Sequence, residues 1–382
     1  MDYKLEWWQE PENIMTLENK LDALTVPGTL LEKLDDEALR CTACGHRCLI
    51  REGRRGICQV RFNRGGELRV PWGYVAALQA DPIEKKPLYH FLSGENALTF
   101  GMLGCDFHCG YCQNWFTSQA MRDPDSERAG RLVREISPAQ LVALAKQSDA
   151  KIIASSYNEP LITTEWAVAV FKEARAAGLK TVMISNGNAT PEALSMLHPH
   201  LDGYKIDLKS MQDKNYRQLG GVLQNVLDSI EGLHQLGLWI EVVTLVVPGF
   251  NDSNAELWEA ARFLAGISPD IPWHVTAFHR DYKMLDTDNT PVDTLIRAAD
   301  IGREAGLRHV YAGNAHGRAG EYESTRCSGC DQPLIKRRGF IIQEYQLTET
   351  GACPHCGTAV AGVWTDKPQS VHLNGLGMPR LV

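Results

Sequence analysis

Leu103-Gly104-Cys105-Asp106-Phe107-His108-Cys109-Gly110-Tyr111-Cys112 is the stretch on which the reading of this chain turns. Its cysteines are spaced Cys-x3-Cys-x2-Cys and follow directly on an apolar run, Leu98–Leu103, that reads as a strand. Three thiolates are one fewer than a closed metal site uses. A centre held by three protein ligands keeps one coordination position open, so a tight loop of this kind can hold three irons of a [4Fe–4S] cube and leave the fourth free. Two other readings compete: three thiols packed as small hydrophobes, and a zinc knuckle completed by His108 or Asp106.

Outward from this loop the pattern is regular. Short apolar strands are predicted at Leu98–Leu103, Lys151–Ser155, Thr181–Ser185, Tyr204–Leu208, Trp239–Val247, Trp273–Phe278 and His309–Tyr311. Amphipathic helices are predicted between them at Pro138–Gln147, Thr163–Ala177, Pro191–Leu197, Val222–Leu236, Ser253–Ala265 and Pro291–Ala305. Several open with proline or with Ser/Thr just before the first turn, and several close at glycine. Such βα alternation implies an α/β fold with parallel strands joined by right-handed crossovers, and it leaves an open sheet and a barrel both available. In either case a site lies at the C-terminal ends of the strands. The polar groups cluster there: Tyr157-Asn158-Glu159-Pro160, Asn186-Gly187-Asn188, Asp207-Leu208-Lys209, Pro248-Gly249 and His279-Arg280. Asp207 and Lys209, two apart on a strand, share a face.

The other cysteines flank this core. Of eleven in the chain, four lie near the N-terminus (Cys41, Cys44, Cys48, Cys58) and four near the C-terminus (Cys327, Cys330, Cys353, Cys356). The last set forms two Cys-x2-Cys knuckles with 22 residues between them, the spacing of a zinc ribbon; rubredoxin-like iron is the competitor. So short a segment cannot fold on hydrophobic burial alone, so its metal should supply folding energy. His355 lies inside a knuckle and reads as a bystander. The N-terminal set, Cys-x2-Cys-x3-Cys-x9-Cys, reads as a structural zinc site, with an auxiliary Fe–S cluster or free thiols as alternatives and His46 able to replace one ligand.

Composition limits the rest. The chain has 382 residues, 44% hydrophobic and 23% charged, which is globular and long enough for more than one domain. The expected units are residues 1–80 with the first four cysteines, a core at 81–320, a ribbon at 321–364 and a tail at 365–382, extended or disordered. Two short helices are expected at Met15–Ala23 and Thr29–Leu39, and a strand at Glu67–Trp72. A net charge of −8 argues against nucleic acid as a partner. Seven arginines between Arg47 and Arg69 are the local exception; they read as a solvated face, or as a docking surface for an acidic partner. The opening MDYKLEWWQEPEN is no signal peptide, and no apolar run nears the ~18 residues of a membrane span. A cytoplasmic protein is expected, in which close cysteine pairs bind metal rather than form disulfides.

The loop Cys105-x3-Cys109-x-Tyr111-Cys112, placed after the first strand of a βα series, resembles the signature of the radical SAM enzymes over roughly Ala97–Gly317. The resemblance implies a partial (β/α)6 barrel, TIM-like, in which Cys105, Cys109 and Cys112 hold a [4Fe–4S] cluster and S-adenosylmethionine binds the open iron. Reductive cleavage would then give a 5′-deoxyadenosyl radical that abstracts hydrogen from a protein or small-molecule substrate, with no separate acid or base. The electron donor would be a flavodoxin or ferredoxin.

Within that resemblance the cofactor-binding residues are Tyr111, Tyr157, Asn158, Glu159, Asn186, Asp207, Lys209 and His279. Glu159-Pro160 matches the end of a Gly-Gly-Glu-Pro element that contacts the methionine amino group; Tyr157 and Asn158 stand where the glycines would be. Asn186 would reach the ribose, Lys209 the methionine carboxylate, and Asp207 would orient Lys209 or reach the ribose. Phe278-His279 with Lys283 is similar to the sixth strand end of the pyruvate formate-lyase activating enzymes, whose histidine approaches the ribose. The fifth-strand arginine of those activases has no counterpart in Val242–Gly249, and their ferredoxin-like insert follows the signature loop rather than preceding it.

Over nearly its whole length the chain resembles the AmmeMemoRadiSam system radical SAM enzymes. The residues that carry this are Cys41-Thr42-Ala43-Cys44-Gly45-His46-Arg47-Cys48 with Arg55-Gly56-Ile57-Cys58, Asp81 to Phe91 (DPIEKKPLYHF), Asp281-Tyr282-Lys283-Met284-Leu285-Asp286, and Gly362-Val363-Trp364. That family implies AMMECR-like and Memo-like partners. Glu84-Lys85-Lys86 itself reads as solvated loop charge between two prolines. Two further functions compete: an activase of a glycyl-radical enzyme, and a multi-zinc adaptor or nucleic-acid-binding protein.

Overall fold

The computed structural model describes residues 16–35, 37–375 and 380–381, so the opening peptide at 1–13 and Met15 lie outside the described residues. Its centre is a nine-stranded sheet. The strands in chain order are β1 (Ala77–Pro82), β2 (Asn96–Gly101), β3 (Ala150–Ser155), β4 (Lys180–Ser185), β5 (Gly203–Asp207), β6 (Trp239–Val246), β7 (Trp273–Ala277), β8 (Val310–Gly313) and β9 (Arg380–Leu381). From β2 to β8 each strand pairs in parallel with the next in sequence. A doubly wound sheet reverses its order at a switch point. No reversal occurs here, so the sheet follows barrel order; β8 and β9 are its two edges, and the described strands do not close on each other. Among the described residues seven strands run in parallel, one more than a six-strand barrel implies.

The helices that connect them are α1 (Pro138–Gln147), α2 (Thr164–Ala176), α3 (Pro191–Leu197), α4 (Asp213–Leu219), α5 (Leu223–Gln235), α6 (Asn254–Ile267) and α7 (Val292–Glu304). Their starts are set locally. Ser137 caps α1 in a full capping box with Gln140, and Thr190 caps α3 through the Ala193 N–H at 3.1 Å, each ahead of a proline. All five residues of β7 are buried, as expected for strands covered on both faces.

Two expectations need correction, at residues 29–39 and at Glu84–Lys86. The described residues of 29–39 form no helix; Leu31–Lys33 and Leu39–Cys41 are antiparallel strands, and Leu49–Ile50 adds a third. Strand pairing beyond the segment overrides the helical propensity of Leu-Leu-Glu-Lys-Leu. At the end of the chain Arg380 and Leu381 form the extended edge strand β9, paired with Ala80 and Gln79 of β1. Glu84 and Lys86 are not solvated: the chain turns through a one-turn helix at Ile83–Lys85 that buries both. The predicted strand at Glu67–Trp72 is present as Glu67–Pro71, paired with Thr25–Pro27 and Phe62–Arg64.

The N-terminal residues belong to the same apolar core as the sheet, with Leu21, Ile50, Val60 and Leu68 packed among the strand and helix residues. The C-terminal segment has its own small core around Leu334, Ile335, Ile342 and Leu347. No helix among the described residues is long and apolar enough to cross a membrane.

Candidate functional site

The three-cysteine loop leaves β2 at the C-terminal end of the sheet. Gly104 turns it with φ +98°; a Cβ there would lie 3.2 Å from the Cys58 carbonyl oxygen, so the loop backs directly on the N-terminal cysteine segment. The loop is then tied on several sides. The Phe107 N–H points at Cys105 Sγ (3.3 Å), His108 N donates to Leu219 O (2.9 Å), Gln119 and Arg122 donate to Phe107 O, and Lys283 N donates to Gly110 O. The last bond brings in the Asp281–Leu285 segment, where Tyr282 stacks on Trp115 at 5.2 Å.

Asp106, between the first two cysteines, is fully buried and takes the side-chain amides of Asn186 (2.7 Å) and Asn188 (2.8 Å). It thereby latches the loop to the end of β4. Glu159 is buried beside it and accepts from Leu161 N (3.0 Å), Ser185 Oγ (2.7 Å) and Asn186 N (2.8 Å). Burial and the neighbouring Asp106 push its carboxyl up to about 8.

In front of the loop lies a cavity of about 320 Å³. Cys109, Tyr111 and Cys112 form one wall, Asp207, Lys209 and Lys205 another, and Tyr157, Lys85 and Lys86 a third. Lys209 Nζ is 3.3 Å from Asp207 Oδ2, and Lys205 Nζ is 2.5 Å from Asp207 Oδ1. Burial opposes the Lys209 charge, but Asp207, with Cys109 and Tyr111 near, holds its ammonium well above the usual lysine range. Burial likewise opposes Asp207, and the two lysines overcome it, holding the carboxyl below its ordinary value.

Of the expected cofactor contacts, Tyr111, Tyr157, Asp207 and Lys209 reach this cavity, whereas Asn158, Glu159, Asn186 and His279 are not on its wall. Asn158 Oδ1 instead accepts from Met102 N (3.0 Å), and Asn186 is engaged by Asp106. His279 Nε2 is buried without a hydrogen-bond partner, its ring 6.1 Å from that of His316. Tyr157 occupies the left-handed region at φ +69°, a backbone that glycine takes freely and tyrosine does not. A Cβ on Gly101 would lie 2.5 Å from Ser156 O, so the backbones of β2 and this turn do approach closely.

Sequence reasoning missed Asp106 as a latch and Lys85, Lys86 and Lys205 as cavity residues. The alternation Lys205-x-Asp207-x-Lys209 on one strand face would have found Lys205; nothing local marks the burial of Lys86.

Cys327, Cys330, Cys353 and Cys356 bring their sulfurs within 4.8 Å of one another, with Cys327–Cys356 at 3.5 Å and Cys330–Cys353 at 3.7 Å. Four thiolates about 2.3 Å from one tetrahedral ion stand just under 4 Å apart, so this donor set fits a metal. His355 faces Gln346 (3.3 Å). Of the four N-terminal cysteines, Cys41, Cys44 and Cys58 are buried and Cys48 is half-buried, and all four are free of disulfides.

A barrel-order βα sheet with a three-cysteine loop at its C-terminal end, facing a lysine- and aspartate-lined cavity, defines an α/β enzyme built around an iron–sulfur centre. The model of the Radical SAM superfamily matches residues 100–264, from the end of β2 through most of α6. The chain belongs to the Radical SAM superfamily, and that membership implies a [4Fe–4S] cluster and S-adenosylmethionine. An uncharacterized protein of Methanocaldococcus jannaschii is 36% identical over 332 residues, covering 86% of this chain and 97% of that protein. The isethionate sulfite-lyase activating enzyme of Desulfovibrio desulfuricans is 28% identical over 130 residues, 33% of this chain and 41% of that enzyme, so the chain is related to activating enzymes over part of their length. A domain of a pyruvate-formate lyase-activating enzyme from Bacteroides vulgatus superposes with a TM-score of 0.38 at 18% identity, over 42% of this chain and 98% of that domain.

Proposed function

We propose that the cavity in front of Cys109 and Cys112 is the reaction chamber of a radical SAM enzyme acting on a protein or small-molecule substrate. The observation that carries this is the convergence of those two thiols with the half-buried Lys209–Asp207 pair on one cavity. The donor set fits the group: three thiols on one short loop, and beside them a lysine whose charge is held in place, suited to a carboxylate. When bound, the cluster supplies the electron that cleaves S-adenosylmethionine to a 5′-deoxyadenosyl radical. The chain's own part is placement. Cys105, Cys109 and Cys112 hold the cluster, Lys209 takes the methionine carboxylate, Asp207 orients Lys209, and Tyr111 and Tyr157 wall the cavity against water. Asp106, Glu159 and Asn186 hold the loop in register with the end of β4, and Asn158 does the same for Met102. His279 stays a candidate for the ribose through its unpartnered Nε2.

Residues 81–320 form the catalytic unit in this reading, with 1–80 packed on it, 321–364 as a zinc-binding ribbon and 365–382 as a tail. The four N-terminal thiols are read as a structural zinc site with an auxiliary Fe–S cluster as the alternative, and metal analysis of a Cys41→Ser/Cys44→Ser variant separates the two. The partners we infer are a flavodoxin or ferredoxin donor and AMMECR-like and Memo-like proteins, as in the AmmeMemoRadiSam systems. Local similarity to activating enzymes supports a second reading, hydrogen abstraction from a glycine of a partner enzyme.

Anaerobic reconstitution followed by reduction with S-adenosylmethionine tests the first reading. 5′-Deoxyadenosine is expected to form and to vanish in Cys109→Ala. A fully reconstituted, reduced protein that cleaves no cofactor defeats it.

A further inference from the structure

Four lysines face the cavity, and two carboxylates answer them. Lys85 and Lys86 enter from the turn after β1, where Asp81 meets Lys86 at 3.1 Å and Lys85 at 3.5 Å. Lys205 and Lys209 rise from β5 and share Asp207. Glu241, in register with Lys205 on β6, is already enclosed by the N–H groups of Tyr89 and His90, the Trp239 indole and His274. Four lysines thus share two ion-pair partners, Asp81 and Asp207.

Their positions are built rather than incidental. Lys86 is 7% exposed, and its Nζ lies 3.2 Å from the Tyr157 hydroxyl and 4.8 Å over that ring. Tyr157 is the residue held at positive φ, so backbone strain is accepted where it sets the ring against Lys86. Burial lowers the Lys86 ammonium below its usual range, and Lys205 adds to this, although Asp81 opposes both. Like charges gathered at low exposure without matching counter-charge are unfavourable until an anion joins them. Lys209 stands apart from this set, because its environment includes Cys109 and Tyr111 at the cluster end.

We propose that Lys85, Lys86 and Lys205 form an anion subsite that anchors the substrate of this chamber through a doubly charged group, either a phosphate monoester or a pair of carboxylates. The proposal rests on the cavity being the reaction chamber, and it goes further by naming the substrate's charge. Lys209 is left to the cofactor.

The test uses the full chain, anaerobically reconstituted and titrated by calorimetry at low ionic strength with inorganic phosphate and, separately, malonate. Millimolar or tighter binding of either supports the subsite; preference for phosphate assigns a phosphate ester and preference for malonate a dicarboxylate. Lys85→Gln and Lys86→Gln are each expected to weaken it by about tenfold or more, the loss of one charge-assisted hydrogen bond. Should a variant fail to fold, acylation of the wild-type lysines gives a second reading: the bound anion protects Lys85 and Lys86 but not the exposed Lys172. Neither heat nor protection with both anions, or undiminished binding in both variants, overturns the subsite. S-adenosylmethionine titrated into the same preparation keeps the two readings apart. Cofactor binding without anion binding defeats only the subsite, and anion binding without cofactor binding defeats only the radical reading.

Discussion

Asp106 is a single carboxylate on which the geometry of the cysteine loop depends. It sits one residue from Cys105 and is satisfied by two side-chain amides from the turn after β4. Asp106→Asn keeps the shape and reverses part of the chemistry, because its new NH₂ must face another amide NH₂. Leaving one such buried donor unmet costs about 1–3 kcal/mol. We expect a lower melting temperature and a reconstituted cluster that is lost faster under chelator, read from visible absorbance. Unchanged cluster retention would mean that the other ties of the loop suffice. The three cysteines were legible from spacing alone, whereas Asp106 was not, because its partners lie 80 and 82 residues away and no short-range pattern encodes them.

At the scale of elements, what was legible divides along the same line. α1 and α3 match their expected bounds because Ser137-Pro138 and Thr190-Pro191 are local start signals. Residues 29–39 misled because Leu31–Lys33 pairs with Leu39–Cys41, which in turn pairs with Leu49–Ile50 beyond the segment. The turn Ile83–Lys85 misled for another reason: its charges are answered from elsewhere in the chain, the lysines by Asp81 and Glu84 by the C-terminal segment. Arg337 of the C-terminal segment reaches back to Tyr89 O (3.0 Å), Ser93 Oγ (2.9 Å) and, at 3.9 Å, Glu84. Burial pushes the Glu84 carboxyl up to about 7 even with Arg337 nearby, and its Oε2 has no hydrogen-bond partner. A raised folded-state value fixes the sign. The contribution of Glu84 to stability is full below its unfolded value, about 4.3, and is lost as pH rises through about 7. Glu84→Gln should therefore flatten the fall in melting temperature between about pH 4.5 and 7.5 relative to wild type. A wild-type curve with the same slope as the variant's would assign the pH dependence to other groups.

At the scale of the whole molecule, the question is what makes the N-terminal residues part of the enzyme rather than an appendage. The joint is Arg61, with its side chain 1% exposed, which forms a two-pronged pair with Glu165 at 2.7 and 2.8 Å and donates to Ile162 O at 3.1 Å. Glu165, in the first turn of α2, also accepts from Thr29 N and Leu30 N, so one carboxylate gathers two N-terminal segments onto the sheet and its helices. Burial opposes that charge, and Arg61 overcomes it, holding the carboxyl below its ordinary range. Removing one partner strands the other: Arg61→Met is expected to cost about 3–5 kcal/mol, more than the pair contributes over an apolar replacement. Arg61→Met/Glu165→Leu should accordingly recover part of the loss, so that the double mutant is more stable than the sum of the single changes implies. Denaturant unfolding of the reconstituted protein under anaerobic conditions measures both. The same variants carry a functional readout, because Cys58 O backs on Gly104 at the start of the cysteine loop. If Arg61 is the joint, the cluster of Arg61→Met bleaches faster in air than that of wild type, and the double mutant falls between them. Single variants that cost under about 1 kcal/mol, the range of an exposed pair, would show that the N-terminal residues are held by their apolar packing alone.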